Sequence, residues 1–260
     1  MSVLSEYYSL QNGLFSQNII HYKMDKVIEK TVNIPLAETG NPTTFVLPKP
    51  FRHPSLFCIS GTTNAGKTTW IYRFLKNLNN MFENEIPKTV LYCYGIYQKL
   101  YSKMEREMDF LTFHEGIPSK ETILNLSDPS MIVLDDLCHK VCENIDMELL
   151  FSQTAHHMNI SVCLMKNNLF YQGKNARTIT LNTNILVLMK NPSDVSQIQT
   201  LARRIFPQQK KEFTEAYRQA VEMNNGKGYL IVDLSAIPTT SIILKTNIFP
   251  GEDMILFKLS

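Results

Sequence analysis

Gly61-Thr62-Thr63-Asn64-Ala65-Gly66-Lys67-Thr68 is a complete G-x-x-x-x-G-K-[ST] string, and its flanks decide what it means. The two glycines let the backbone wrap closely enough for its N–H groups to face phosphate oxygens. Lys67 then brings a point charge to the β and γ groups of a nucleoside triphosphate, and Thr68 offers a hydroxyl to Mg²⁺. Such a loop needs a buried strand before it and a helix after it. Leu56-Phe57-Cys58-Ile59-Ser60 is a short apolar run suited to a strand covered on both faces. From Thr69 to Leu78, Trp70, Ile71, Phe74, Leu75 and Leu78 recur at helical spacing, so a helix leaves the loop with its N-terminus toward the phosphates. Gly61 through Thr69 are the expected ATP-binding residues.

The chain around this loop has 260 residues and 44% hydrophobic content, enough for one large core with extensions. Its formal charge of +2 does not announce a nucleic-acid binder, so any DNA contact must come from a local patch. Cys58, Cys93, Cys138, Cys142 and Cys163 are odd in number, and four lie in or beside apolar runs, which fits a reduced, intracellular protein. Cys138-His139 followed by Cys142 hints at metal, but no second ligand pair follows at finger-like spacing. No metal beyond the nucleotide's Mg²⁺ is expected. Met1 to Tyr8 lacks the layout of a signal peptide. No apolar run approaches the ~18 residues of a membrane span, so a soluble protein without a membrane partner is expected.

Residues 1–50 are mixed and polar, with Pro35, Pro42, Pro48 and Pro50. They are expected to be an N-terminal extension, with edge-strand alternation at Val27-Ile28 and at Thr31 to Ile34. From 51 to 235 apolar runs alternate with helical stretches, the pattern of a mostly parallel central sheet flanked by helices. After Leu56–Ser60, the expected strands are Thr89–Tyr94, Ser130–Asp135, Ile160–Met165 and Asn184–Met189. Residues 143–157 are expected to be one helix, and 194–223 two helices parted near Pro207. Tyr229–Val232 and Ser241–Leu244 are expected as a trailing pair of strands, with 236–260 a C-terminal strand extension.

Met131-Ile132-Val133-Leu134-Asp135-Asp136 is four apolar residues ending in two carboxylates, the Walker B arrangement. A buried strand would deliver Asp135 opposite Thr68, where a carboxylate holds Mg²⁺ through its water shell. Asp136 would face the γ-phosphate and orient the attacking water. Taken alone, two acids could simply end a strand in a solvated loop; the phosphate loop upstream favours the metal reading. The fourth strand runs into Lys166-Asn167-Asn168. If it lies between the other two, Asn167, or failing it Asn168, would sense the γ-phosphate, although asparagines after a strand also suit a plain turn. Arg177 stands before what looks like a further extended segment, where it could serve a neighbouring subunit's γ-phosphate or be an ordinary solvated charge.

Taken together, the pieces resemble the FtsK/HerA branch of ASCE, RecA-like P-loop ATPases, most closely the genome-packaging ATPases of Polinton (Maverick) elements, adintoviruses and related double-stranded DNA viruses. The resemblance runs from about Pro48 to Phe257. Its strings are Ser60 to Thr68, Leu134-Asp135-Asp136-Leu137, Asn167-Asn168-Leu169-Phe170-Tyr171-Gln172-Gly173-Lys174, Arg177-Thr178-Ile179-Thr180-Leu181-Asn182, Lys190-Asn191-Pro192-Ser193-Asp194, Leu201-Ala202-Arg203-Arg204 and Thr246-Asn247-Ile248-Phe249-Pro250-Gly251-Glu252. It implies Lys67 and Thr68 as nucleotide and Mg²⁺ ligands, Asp135 as metal carboxylate and Asp136 as water activator. Asn167 falls where the family usually has a sensor glutamine, one methylene longer, and Arg177 where it has a candidate arginine finger. Hydrolysis machines of this type more often carry Glu where this chain has Asp136. A homo-oligomeric ring that threads double-stranded DNA into a capsid is implied, with capsid vertex proteins as partners and the infected host cell and virion as its setting.

Lys99, Lys103 and Arg106 with Tyr97 and Tyr101 interleaved, and Lys210 with Lys211, are the candidate DNA contacts. Glu105 and Glu107 leave a plain solvated helix face as the other reading of the first group. The rival functions are a nucleoside or nucleotide kinase and a nucleotide-binding capsid scaffold without turnover. A small GTPase fits poorly, because no N-K-x-D string follows the Walker B strand.

Overall fold

The computed structural model describes residues 19–23, 50–192, 195–235 and 243–257, and among these ten strands form one sheet. In chain order they are β1 (Ile19–Lys23), β2 (Leu56–Ser60), β3 (Thr89–Tyr94), β4 (Leu111–Glu115), β5 (Ser130–Asp135), β6 (Ile160–Lys166), β7 (Ile185–Met189), β8 (Tyr229–Asp233), β9 (Ile243–Thr246) and β10 (Asp253–Phe257). Across the sheet the order is β1-β10-β9-β8-β7-β2-β6-β5-β3-β4. The block β7-β2-β6-β5-β3-β4 is parallel throughout. From β7 outward through β8, β9, β10 and β1 every pairing is antiparallel.

The parallel strands inside the block, β2, β3, β5, β6 and β7, are buried at nearly every position because helices cover both faces, and the edge strand β4 is not. Phe57 and Ile59 of β2 point into the core beneath the Lys67–Lys76 helix, which adds Trp70, Ile71, Phe74 and Leu75 at i, i+1, i+4 and i+5. Cys58 points the other way, into a core shared with the Ser196–Ile205 and Lys210–Gly226 helices. Each large apolar side chain so buried contributes about 1.5–3 kcal/mol. Ile132 and Leu134 of β5 pack under the Cys138–Glu143 and Ala176–Asn182 helices.

Several elements differ from the sequence expectations for identifiable reasons. The single helix expected over 143–157 is broken at Asn144, whose side chain caps a new helix by accepting from the Met147 N–H at 3.1 Å. A π-helical turn, Leu150–Thr154, then interrupts it. Thr178-Ile179-Thr180, expected to be extended, lies in a helix, Ala176–Asn182. Within it the Thr180 hydroxyl donates back one turn to the Ala176 carbonyl at 2.8 Å, and Ala176 and Ile179 are buried against the core beneath β5 and β6. Strand β4, Leu111-Thr112-Phe113-His114-Glu115, carries too little apolar content to stand out in sequence, whereas β10 falls in the stretch expected as a C-terminal strand extension. Of the strand expected at 241–244, Ile243 and Leu244 lie in β9, and Ser241 and Ile242 lie outside the described residues. The edge strands expected at Val27-Ile28 and Thr31 to Ile34 lie outside the described residues, as do Ser193 and Asp194.

Strands β9 and β10 carry the sheet on past β8. The segment between them folds back onto the phosphate-loop helix. Arg73 of that helix pairs with Glu252 at 2.5 Å and lies 4.2 Å over the Phe249 ring, while Trp70 meets Phe249 and Tyr229 edge-on. Deeper, Lys245 of β9 and Asp233 of β8 form a buried ion pair at 2.8 Å, and Lys245 also donates to the Pro50 carbonyl.

Candidate nucleotide site

The site lies at the carboxyl ends of β2, β6 and β5, adjacent in that order. Its floor is the loop Gly61–Gly66, which turns from β2 into the Lys67–Lys76 helix. Gly61 is required by its neighbours: a Cβ there would stand 2.8 Å from Met189 Cβ. Gly66 and Asn64 take the left-handed backbone, φ 100° and 66°, that lets the loop close over a phosphate-sized space. Thr63, Asn64 and Thr69 are exposed at its rim, and Thr62, Ala65, Lys67 and Thr68 are half-buried.

Lys67 has three ammonium protons and three acceptors. Its Nζ lies 2.9 Å from the Gly61 carbonyl, 3.0 Å from the Thr62 carbonyl and 2.7 Å from Asn167 Oδ1. Burial pulls the Lys67 pKa down, opposed by the charges of Asp135 and Asp136. Asn167 reaches this cluster because β6 lies between β2 and β5, so the residue just past the strand's end comes up beside the loop. Asn168 does not reach it. Its side-chain oxygen accepts instead from the Phe170 N–H at 2.9 Å, closing a local turn.

Asp135, the last residue of β5, is 2% exposed, and its Oδ2 accepts from three hydroxyls. Tyr92 and Tyr101 donate at 2.8 Å each, and Thr68 lies at 3.4 Å. Burial pushes the Asp135 pKa up, and the two phenol bonds work against that rise. Thr68 and Asp135 thus present hard oxygen donors side by side, the donor chemistry Mg²⁺ selects. Asp136 is exposed and takes φ 55°, a left-handed corner directly after the strand. Gly95 packs beneath it: a Cβ on Gly95 would stand 2.6 Å from the Asp136 carbonyl oxygen.

Four expected site residues, Lys67, Thr68, Asp135 and Asn167, therefore converge. Arg177 does not join them through any contact. It is exposed on the Ala176–Asn182 helix, without an ion-pair partner among the described residues. That helix is tied to β6 by buried Lys166, whose Nζ lies 3.3 Å from Thr180 Oγ1. Tyr101, expected as a DNA contact, is fully buried and faces Asp135, so it cannot touch an outside ligand. Lys99, Lys103, Arg106, Lys210 and Lys211 are exposed. Sequence reasoning missed Tyr92 and Gly95: nothing in their spacing distinguishes a tyrosine that bonds an acid from one that fills a core. Cys138 and Cys142 bring their sulfurs to 4.0 Å, and no group of three or more metal-ligating side chains occurs among the described residues. No helix among those residues is long and apolar enough to cross a membrane.

No family model and no curated protein matches the chain. Solved structures do. The DNA-packaging ATPase B204 from Sulfolobus Turreted Icosahedral Virus superposes with TM-score 0.50 at 10% identity, covering 75% of this chain and 97% of that one. The genome packaging NTPase B204 from Sulfolobus turreted icosahedral virus 2, in complex with ATP-gammaS, gives TM-score 0.50 at 10% identity over 73% and 96%. What is shared at that identity is architecture: a mostly parallel central sheet with flanking helices, the P-loop NTPase fold.

Proposed function

We propose that this protein is an ATP-hydrolysing motor that moves double-stranded DNA, in the manner of a viral genome-packaging ATPase. The observation that carries the reading is the convergence of Lys67, Thr68, Asp135 and Asn167 at the ends of three neighbouring strands. The fold it shares with DNA-packaging ATPases and the ordered strings that resemble Polinton and adintovirus enzymes point the same way.

In this reading the loop amides and Lys67 hold the β- and γ-phosphates. All three Lys67 protons are satisfied by the chain itself, so Lys67 exchanges carbonyl partners for phosphate oxygens as the nucleotide seats. Thr68 and Asp135 would hold Mg²⁺, whose charge would offset that of the phosphates. Asp136 orients the attacking water, and its exposed corner keeps the carboxylate free to do so. Asn167, beside Lys67, registers whether the γ-phosphate is present. Arg177 reaches a neighbouring subunit's nucleotide in a homo-oligomeric ring, a role to which its exposed position is suited. DNA is held through backbone phosphates by Lys99, Lys103, Arg106, Lys210 and Lys211 without reading sequence. Capsid vertex proteins are the further partners, with the infected cell and the virion as the place of action.

Steady-state phosphate release with and without duplex DNA tests the reading. Stimulation by DNA is the expected result. Transfer that depends on a small acceptor would make the protein a kinase, and nucleotide binding without turnover would make it a scaffold. Size measurement with a non-hydrolysable ATP analogue tests the ring; a strict monomer, with and without DNA, removes Arg177 from the site.

A further inference from the structure

The Lys99–Glu107 helix is tied to the rest of the protein by side-chain hydrogen bonds at two points, and both ties lead to the nucleotide site. Near its start, Tyr101 donates its phenol to Asp135 Oδ2 at 2.8 Å. At its end, Glu107 accepts from Tyr72 at 2.7 Å and from Lys76 at 3.3 Å, both on the helix that leaves the phosphate loop. Lys103 also lies 5.1 Å over the Tyr72 ring, beside the second tie, while the contacts of Tyr97 with Ser102 and of Lys103 with Glu107 are internal to the segment. Its outer side carries Lys99, Lys103 and Arg106, all exposed. A charged surface strip is therefore suspended between the two halves of the phosphate site.

The first tie is poised for exchange. Asp135 Oδ2 already faces three hydroxyls, while a carboxylate oxygen offers about two good acceptor directions. Thr68, the longest of the three contacts at 3.4 Å, would turn to a bound cation, and a donor from that cation's water shell would then compete with the two phenols. Tyr92 belongs to β3, held by hydrogen bonds to β4 on one side and β5 on the other. Tyr101 belongs to a helix that nothing else polar fixes to β5. Its ring packs against Tyr92, Tyr94, Tyr97 and Phe113 at 5.1–5.5 Å, aromatic contacts that permit sliding more readily than a strand ladder does. Of the two phenols, Tyr101 is the one not carried by a strand ladder.

We propose that Tyr101 is a positioning residue: occupancy of the Mg²⁺-nucleotide site at Asp135 changes the Tyr101–Asp135 bond and so moves the Lys99–Glu107 helix with its basic edge. The inference rests on the nucleotide-binding reading above and adds the route by which the site reaches an outside surface. A route of this kind needs contacts that differ between nucleotide states, and the crowded carboxylate oxygen supplies one.

Amide hydrogen exchange on the full chain, with and without Mg²⁺ and ATPγS, tests it. In the wild type, exchange over residues 98–108 is expected to change several-fold when the Mg²⁺-nucleotide binds. Tyr101→Phe is expected to bind ATPγS with similar affinity and lose that response. Tyr92→Phe removes a donor from the same oxygen but from the strand side, and is expected to keep it. Should Tyr101→Phe not fold, the wild type with ATPγS in excess EDTA decides the question: a response over residues 98–108 as large without Mg²⁺ as with it overturns the proposal, which routes the change through the cation site at Asp135. Binding without any response in the wild-type segment, or a full response in folded Tyr101→Phe, also overturns it. A wild type that fails to bind ATPγS overturns instead the reading beneath it.

Discussion

Lys67 Nζ lies 2.7 Å from Asn167 Oδ1, a bond between residues separated by 100 positions in the chain. It couples the loop after β2 to the end of β6, the two strands being neighbours in register from Leu56–Val162 to Ser60–Lys166. Replacing Asn167 with Ala should lower kcat for ATP about a hundredfold, the usual loss when one oriented polar group is removed from developing charge. ATPγS affinity should stay near the wild-type value, because the loop amides and Lys67 remain. An equal fall in affinity would make Asn167 a builder of the loop instead of a sensor.

Gly95→Ala sets a methyl 2.6 Å from the Asp136 carbonyl oxygen and 3.3 Å from its carbonyl carbon. Backbone meets the new atom, so the corner itself must shift. Overpacking of this kind should cost about 1–3 kcal/mol in chemical denaturation. Turnover should fall further than nucleotide binding, since the displaced residue is the proposed water-orienting acid. Wild-type stability in the variant would show that the corner has room to relax.

His53 gives a pH dependence whose sign follows from its bonds. The ring is buried, with Nε2 2.8 Å from the Asn159 carbonyl and Nδ1 2.7 Å from Ser161 Oγ. Nε2–H donates to the carbonyl, and the Ser161 hydroxyl donates to Nδ1. Burial holds its pKa below the ordinary histidine value of 6.5, against the raising effects of the Asn159 carbonyl, Glu85 and Asp128. The unfolded chain therefore takes up this proton first on acidification. Stability from the neutral ring is complete above about pH 6.5 and is lost as pH falls toward and through the depressed folded value. Thermal unfolding between about pH 5 and 8 should show Tm falling on the acid side, with a shallower fall in His53→Gln.

The Asp233–Lys245 pair, 2.8 Å long with side chains only 8% and 6% exposed, joins β8 to β9. Asp233→Ala alone should destabilise by about 3–5 kcal/mol, because it leaves a lysine charge buried without its partner. Asp233→Leu combined with Lys245→Met should recover most of that loss. If the double variant is no better than the single one, the bonds from Asp233 to Ser235 and from Lys245 to the Pro50 carbonyl matter more than the charges.

The parallel half of the sheet was legible because a strand covered on both faces must be apolar throughout, and β2, β3 and β5 were bounded to the residue. Strand β4 lies at the edge of the sheet, where partial exposure erases that signal. The loop and the acid pair were legible because their chemistry restricts residue type. The tyrosines around Asp135 were not: Tyr92 and Tyr101 are core residues by pattern, and only the folded sheet aims their hydroxyls at one oxygen. Arg177 fell in a helix because packing of Ala176 and Ile179 against the core, a tertiary contact, overrode the β-branched run that suggested extension.

Asp136 occupies, at φ 55°, backbone space that asparagine and aspartate enter more readily than longer side chains do. The corner and the glycine beneath it are fitted to each other through backbone, since a Cβ on Gly95 would meet the Asp136 carbonyl. A chimaera that grafts the β5 corner without its β3 glycine inherits half of a matched set. The two positions should therefore travel together through any lineage that keeps this bend.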